Sequence, residues 1–380
     1  MEWLQAEPPQ WDERYRAWVL TRYDDVAAGF RHPALSADRV APAVDGDPDM
    51  DPSLAMLSRW MVFNDPPDHT RLRRLVQAAF TPRAVARLRQ SIVTAVDELL
   101  DGLAGAGGGE LVGLFAHPLP ATVIAELLGV PADDRDRFKR WSDDLGTLVF
   151  GAMSGARHNE RAHAGVREFT RFFGERIATI EPGDDHLLAA LVAARDETGE
   201  HGALTEDEIV ATATLLLFAG HETTSGLIAN GVELLHRFPD EAARLRDDPS
   251  LLPTAVEEML RLGGPAGLMV RVASRPVAVG GQEIAAGTRV FLSITAANRD
   301  PSRFPDPLRF DAGRHPNPHV AFGAGIHHCL GAPLARLETE IAIGALLTRF
   351  PDLVVVGEPV WGGALFGRSI RLLPVAVQPV

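Results

Sequence analysis

The sequence holds one cysteine, Cys329, in 380 residues. A single thiol cannot form an intrachain disulfide, nor a zinc or iron–sulfur site built from several cysteines. Any role for Cys329 is therefore solitary, as a nucleophile or as one ligand of a metal. Basic residues are also short: 37 Lys plus Arg face 51 Asp plus Glu, a net charge of −14. Such a chain is a poor general binder of nucleic acid or of an anionic membrane, and neither is expected as a partner. No apolar run is long enough to span a bilayer, since the longest, around Ile209 to Gly220, is broken by threonines. The opening residues, MEWLQAEPPQWDERYR, have neither the basic start nor the apolar stretch of a signal peptide. The expectation is a soluble, cytoplasmic protein.

What is present is apolar content for a large core: 46% apolar and 23% charged residues, ordinary values for a globular chain. Helical spacing of apolar residues predicts helices over 67–80, 83–104, 120–128, 134–150, 157–180, 205–237, 239–246, 252–262 and 333–349. Thr81-Pro82, Pro239-Asp240 and Thr205 with Glu208 mark starts, the last as a capping box. The 205–237 helix is apolar nearly all round between Ile209 and Ala219, as expected of a helix running through the protein interior. Strand signals lie between Met269 and Thr295, with a hairpin at Val277–Ile284 turning on Gly280-Gly281, and again from Leu353 to Val380. Gly105 to Gly109 reads as a loop, and Asn298 to Gly325 as a long irregular connection, which inside a compact domain is usually functional. Without repeats, low-complexity tails or linkers, residues 1–380 are expected to form one domain, mainly α with small β-sheets.

The sharpest local signal surrounds the lone cysteine: Phe322-Gly323-Ala324-Gly325-Ile326-His327-His328-Cys329-Leu330-Gly331. The glycines permit a tight turn, and Pro333 suits the first turn of a following helix. Cys329 then sits just before a helix N-terminus, where N–H groups and the positive dipole end stabilise a thiolate. A buried structural cysteine is the bland reading. A dinucleotide loop fits poorly, because His328 stands where the third glycine of GxGxxG belongs and no strand precedes. The segment resembles the haem-binding signature FxxGxxxCxG of the cytochrome P450 family, with Phe322, Gly325, Cys329 and Gly331 in place. The resemblance implies a P450 fold with the long helix over the haem, and haem b as cofactor. It makes Cys329 the thiolate ligand of the iron and Phe322, Gly323 and Gly331 haem contacts.

Two further motifs follow the order that family requires. Ala219-Gly220-His221-Glu222-Thr223-Thr224 lies mid-helix. Gly220 lacks a side chain and would leave room for a small ligand. By resemblance, Glu222 relays protons and Thr223 holds the bound oxygen or a water, and Thr224 also carries a hydroxyl. Glu258-Met259-Leu260-Arg261 comes next, Glu258 lying 36 residues after Glu222 (258 − 222) and 71 before Cys329 (329 − 258). Glu and Arg at i,i+3 can pair on one helix face. The resemblance makes them a buried structural ion pair, with Arg309 as its third member. His69 and Arg73, i,i+4 neighbours on one helix, match haem-propionate contacts, as do Arg271 and His327. Arg and His⁺ bind carboxylates by charge-assisted hydrogen bonds. Gly263-Gly264, where an aromatic is common in the family, bears on pocket shape alone.

The implied activity is a monooxygenase. It takes two electrons from a ferredoxin and ferredoxin reductase, uses O2, and oxidises an apolar organic substrate, with hydroxylation first and epoxidation, desaturation or aryl coupling as alternatives. Arg314 and Arg336 are expected on the docking face for the electron donor. Met56, Leu57, Trp60, Met61, Leu268 and Met269 are expected as apolar pocket walls or as core. Terpenoid, polyketide and peptide-derived substrates all remain open. A peroxide-driven enzyme would not need Glu222 and Thr223. A haem sensor would need the thiolate but no proton relay, and a cysteine hydrolase using His327 or His328 would leave the other motifs unexplained.

Overall fold

A computed structural model describes residues 6–38, 52–77, 80, 82–134, 137, 140–141, 144–145, 160–181, 183–184, 186–196, 203–362 and 367–377. The principal helices are α1 (Tyr23–Arg31), α2 (Asp68–Gln77), α3 (Arg89–Gly105), α4 (Pro118–Leu127), α5 (Glu160–Ile177), α6 (Leu187–Asp196), α7 (Glu206–Arg237), α8 (Pro239–Asp247), α9 (Leu252–Gly263) and α10 (Ala332–Arg349). The strands are β1 (Gln10–Asp12), β2 (Ala17–Leu20), β3 (Leu35–Ser36), β4 (Gly108–Glu110), β5 (Leu268–Ala273), β6 (Val277–Val279), β7 (Gln282–Ile284), β8 (Arg289–Ser293), β9 (Val354–Val355), β10 (Val360–Trp361), β11 (Ile370–Leu372) and β12 (Pro374–Ala376). Helix dominates and the sheets are small, as the periodicity predicts.

Residue contacts separate into two compact units. The first comprises residues 1–36, 89–120 and 223–380. It holds a five-stranded sheet in the order β1-β2-β8-β5-β3, in which only β2 and β8 run parallel. Helix α1 packs Val26, Ala27 and Phe30 into a core with Leu20, Val290, Leu292, Val320 and Ala324. Such spacing, with Asp24 and Asp25 at the positive end of the helix, is a helix signal too short to stand out from periodicity alone. Each fully buried Leu, Val or Phe here contributes about 1.5–3 kcal/mol over an exposed one. The β6–β7 hairpin turns on Gly280 and Gly281, both at positive φ, as its sequence requires.

The second unit comprises residues 37–88 and 121–222. Trp60, fully buried, stacks on Phe63 and tilts against Phe218, and its indole N–H donates to the Thr214 hydroxyl at 3.1 Å. Helix α7 is continuous from Glu206 to Arg237, and its capping box forms as expected. The Thr205 N–H donates to the Glu208 carboxylate at 2.8 Å, and the Glu208 N–H to the Thr205 hydroxyl at 3.2 Å.

Several boundaries differ from the sequence reading. The helix expected at 83–104 breaks at Leu88 into Pro82–Arg87 and α3. Gly108 and Gly109, expected in a loop, begin β4 and pair with β12, where a Cβ on Gly108 would lie 2.3 Å from the Val375 carbonyl oxygen. Pro239 occupies the first turn of α8 as anticipated. Thr81 and most of 134–150 lie outside the described residues. No helix among the described residues is long and apolar enough to cross a membrane.

Helix α10 contains a buried acid, Glu338, 2% exposed, whose Oε2 has no hydrogen-bond partner among the described residues. Burial pushes its pKa up to about 8, so the folded state keeps it neutral where the unfolded chain ionises it. The sign follows from linkage. The unfolded state loses this proton near pH 4.5 and the folded state near 8, so stability falls between those values, by several kcal/mol in all. Melting curves from pH 5 to 8 should therefore show Glu338→Gln gaining stability relative to the unsubstituted chain as pH rises. A pH-independent difference between the two would refute the assignment.

Candidate active site

In the first unit, Cys329 is exposed and lies three positions before α10, whose N-cap is Gly331 and whose first turn holds Pro333. The Cys329 N–H donates to the Phe322 carbonyl at 2.9 Å, closing the loop on itself. Gly325 has φ 72°, and a Cβ there would lie 2.9 Å from the Phe30 carbonyl oxygen, so this position requires glycine. Gly331 is different: its φ is −79°, and among the described residues no atom beyond its chain neighbours lies within 4 Å of where a Cβ would project. Its glycine is therefore not explained by the turn. It leaves open space two residues from Cys329, a cradle that a Cβ would begin to fill.

Arg271, expected near the haem, is 5% exposed on β5. Its Nη1 donates to the Val270 carbonyl at 2.9 Å, and its guanidinium lies 5.8 Å from the Phe30 ring centre. The same ring is 3.5 Å from where a Gly323 Cβ would stand. Phe30, a residue sequence reasoning missed, thus joins Arg271 to the cysteine loop. His327 ends the 3₁₀ turn Gly325–His327 within that loop. In the second unit, His69 (2% exposed) and the half-buried Arg73 share α2 as anticipated.

Along α7 the burial pattern singles out one face. Between Ile209 and Leu235 nearly every residue is buried, yet Ala219 and Thr223, one turn apart, are exposed, and Glu222 is half-buried. Thr224 is 3% exposed and His221 1%. Of the two adjacent hydroxyls, Thr223 is therefore the accessible one. Gly220 does not open space as expected: a Cβ there would be 3.1 Å from Ile124 Cδ1 of α4. Its missing side chain admits a neighbouring helix. Met56, Leu57, Trp60, Met61 and Leu268 are 0–7% exposed and pack as core rather than as open walls; Met269 is half-buried.

Glu258 and Arg261 form the expected pair, with both side chains inaccessible and two hydrogen bonds of 2.7 Å. The third member differs from the expectation. Arg314 Nε donates to Glu258 at 2.9 Å, whereas the Arg309 side chain is exposed and only its carbonyl takes part, accepting from Arg261. Arg309 is the fifth residue upstream, in a stretch without periodicity that gives no local sign of which arginine turns inward. This also removes Arg314 from the docking face, because its side chain is 12% exposed and committed to Glu258. Arg336 is likewise engaged: it chelates Glu257 at 2.6 and 2.9 Å and lies 4.6 Å from the Phe322 ring centre. Its pKa is held up chiefly by the Glu257 bond, and in smaller part by the charges of Cys329 and Glu340. Burial opposes the Glu257 charge, but Arg336 and His319 outweigh it and bring that carboxyl down to about 2.

The donor set fits a haem. A lone, accessible thiol before a helix N-terminus, near a guanidinium, suits a thiolate ligand. The cleared cradle at Gly331 suits a close-lying macrocycle, and a buried arginine tied to the same loop suits a carboxylate.

These features are those of a haem-thiolate protein, and the comparisons agree. The sequence model of the family described as Cytochrome P450 matches residues 18–354. The 6-deoxyerythronolide B hydroxylase of Saccharopolyspora erythraea is 41% identical over 95% of this chain and 90% of that protein. The cytochrome P450 monooxygenase PikC of Streptomyces venezuelae is 42% identical over 97% of this chain and 86% of that one. The structure of the tirandamycin C-bound P450 monooxygenase TamI superposes with a TM-score of 0.83 at 39% identity, covering 95% of this chain and 90% of the other. The chain belongs to the cytochrome P450 family and is a monooxygenase, an oxidoreductase with a haem cofactor.

The geometry separates two arginines that look alike in sequence. Arg314→Ala should lose about 3–5 kcal/mol of stability, because it leaves part of the buried Glu258 charge uncompensated. Arg309→Ala should stay within about 0.5 kcal/mol, as an exposed side chain. Denaturant melts of both variants test this, and equal losses would contradict the assignment.

Proposed function

We propose that this enzyme hydroxylates a largely apolar natural-product intermediate, with a polyketide-type molecule as the first class to examine. The carrying observation is the accessible Cys329, held by its bond to Phe322 at the mouth of α10 beside the cleared cradle at Gly331. Relatives named as a 6-deoxyerythronolide B hydroxylase and a tirandamycin C-bound monooxygenase support the substrate class. Residues 1–380 act as one domain in this reading, since the family model runs from residue 18 to 354.

Cys329 would hold haem b as its thiolate ligand. Phe322, Gly323 and Gly331 would lie against the macrocycle, and His69, Arg73, Arg271 and His327 would bind its carboxylates. When bound, the haem supplies the oxidising chemistry, reducing O2 with two electrons from a separate ferredoxin and ferredoxin reductase. The chain's own work is acid–base and positional. The accessible Thr223 Oγ1 holds dioxygen or a water by a hydrogen bond on the exposed face of α7. The Glu222 carboxylate, one position earlier and half-buried, exchanges protons with water and passes them toward Thr223. Apolar walls exclude bulk water and orient the substrate.

Two substitutions test the assignment. Cys329→Ser should abolish the red-shifted carbon-monoxide band of the reduced protein, and a retained band would disprove the thiolate ligand. Thr223→Ala should keep haem and that band but lower product formed per electron pair roughly tenfold, with peroxide rising in proportion. Tight coupling in that variant would argue against the proton role. A spectral-shift screen of the haem-loaded protein against polyketides and other apolar natural products tests the substrate class.

A further inference from the structure

Away from the cysteine loop, the first unit contains a partly open pocket of about 40 Å³ whose walls include Asn230, Glu233, Arg237, Arg299, Trp361 and Arg368. Its frame is rigid. The Asn230 side-chain amide donates to the Gly263 carbonyl at 2.7 Å and the Arg368 carbonyl at 2.8 Å, and its oxygen accepts from the Ile370 N–H at 3.1 Å. Both donors and one acceptor position of that side chain join α7, the end of α9 and β11. Arg368 lies 4.4 Å from the Trp361 ring centre, so its guanidinium is oriented by stacking.

The charges in this cavity do not balance. Three guanidiniums face one carboxylate, Glu233, which lies 3.7 Å from Arg237. Arg261 also borders the space, but it is committed to Glu258, a carboxylate already shared with Arg314. Burial biases Glu233 toward its neutral form, weakening even that compensation. Arg299 is the centre of the imbalance. One Nη donates to the Leu262 carbonyl at 2.7 Å, while its buried Nε has no acceptor among the described residues. Burial, and then the like charges of Arg368, Arg261 and Arg237, pull its pKa down to about 10. A buried donor without a partner and clustered like charges both oppose folding, and an anion relieves both at once.

We infer that Arg237, Arg299 and Arg368 form a binding site for a small free inorganic oxyanion of two negative charges, the class of hydrogen phosphate and sulfate. Arg299 and Arg368, with the more exposed Arg237 at the rim, outnumber the one carboxylate, an excess that a dianion neutralises. The volume holds about three water-sized groups, which suits a compact oxyanion, and the body of a phosphate ester would have to lie outside it. Guanidiniums match the oxygens of such an ion by paired, charge-assisted bonds. A water could accept from Arg299 Nε but would leave the charge excess in place.

The test uses the full-length, haem-loaded protein, with inorganic phosphate and sulfate as probes. Melting temperature is followed against anion concentration and compared with sodium chloride at equal ionic strength, and phosphate binding is read directly by the ³¹P linewidth. The expected result is a saturable rise with phosphate or sulfate beyond that with chloride. Arg299→Gln and Arg368→Gln should each weaken the midpoint about ten- to hundredfold, and Arg368→Lys, which keeps the charge, should weaken it less. Phenyl phosphate should not compete. The proposal is overturned if sulfate and chloride act alike, if the variants respond as the parent does, or if phenyl phosphate binds as well as phosphate. If a glutamine variant fails to fold, the linewidth titration of the parent protein and Arg368→Lys decides the question.

Discussion

The charge on Glu258 organises the part of the molecule that presents the cysteine. A carboxylate with no solvent contact is tolerated only when its oxygens are fully partnered. Here they receive Arg261, Arg314, the Asn317 amide and the Asp311 N–H. Arg261 in turn donates to the carbonyls of Asn298, Pro307 and Arg309. Those carbonyls belong to an irregular stretch with no helix or strand ladder to satisfy them. One guanidinium therefore supplies what secondary structure supplies elsewhere, and it fixes a long loop that ordinary propensity would leave undetermined.

That fixed stretch leads directly into the cysteine loop, and the neighbouring residue on α9 serves the other side of it. Glu257 and Glu258 are adjacent, so on a helix they project about 100° apart. Glu258 turns inward to the irregular stretch, while Glu257 holds Arg336 on α10 and His319 at 3.1 Å ahead of the loop. Arg336 covers the Phe322 ring, whose own carbonyl receives the Cys329 N–H. The thiol's position is thus the end of a chain of satisfied charges beginning on one short helix. Rigid support of this kind is what a reactive thiol needs, since misplacement of a fraction of an ångström weakens its chemistry.

The acidity of the whole chain conceals its local electrostatics. A net charge of −14 describes the long-range field, but the first unit gathers arginines locally: Arg261 and Arg314 on one buried carboxylate, and Arg299 and Arg368, with Arg237 at the rim, around another. Composition averages over these clusters, whereas burial makes each of them energetically separate.

The family, the helical architecture and the loop that presents Cys329 were legible in the amino-acid order. Each rests on local pattern: a spaced glycine–cysteine loop, helical periodicity, and a capping box whose two bonds form within one turn. The accessible hydroxyl at Thr223, the inward turn of Arg314 rather than Arg309, the bridging ring of Phe30 and the core placement of Trp60 were settled by tertiary structure alone. Adjacent threonines differ only in which side of a helix meets other elements. Nearby arginines in an aperiodic loop differ only in where the folded backbone points them. Sequence records which groups can pair, and burial in three dimensions selects the pairs whose charges must be met.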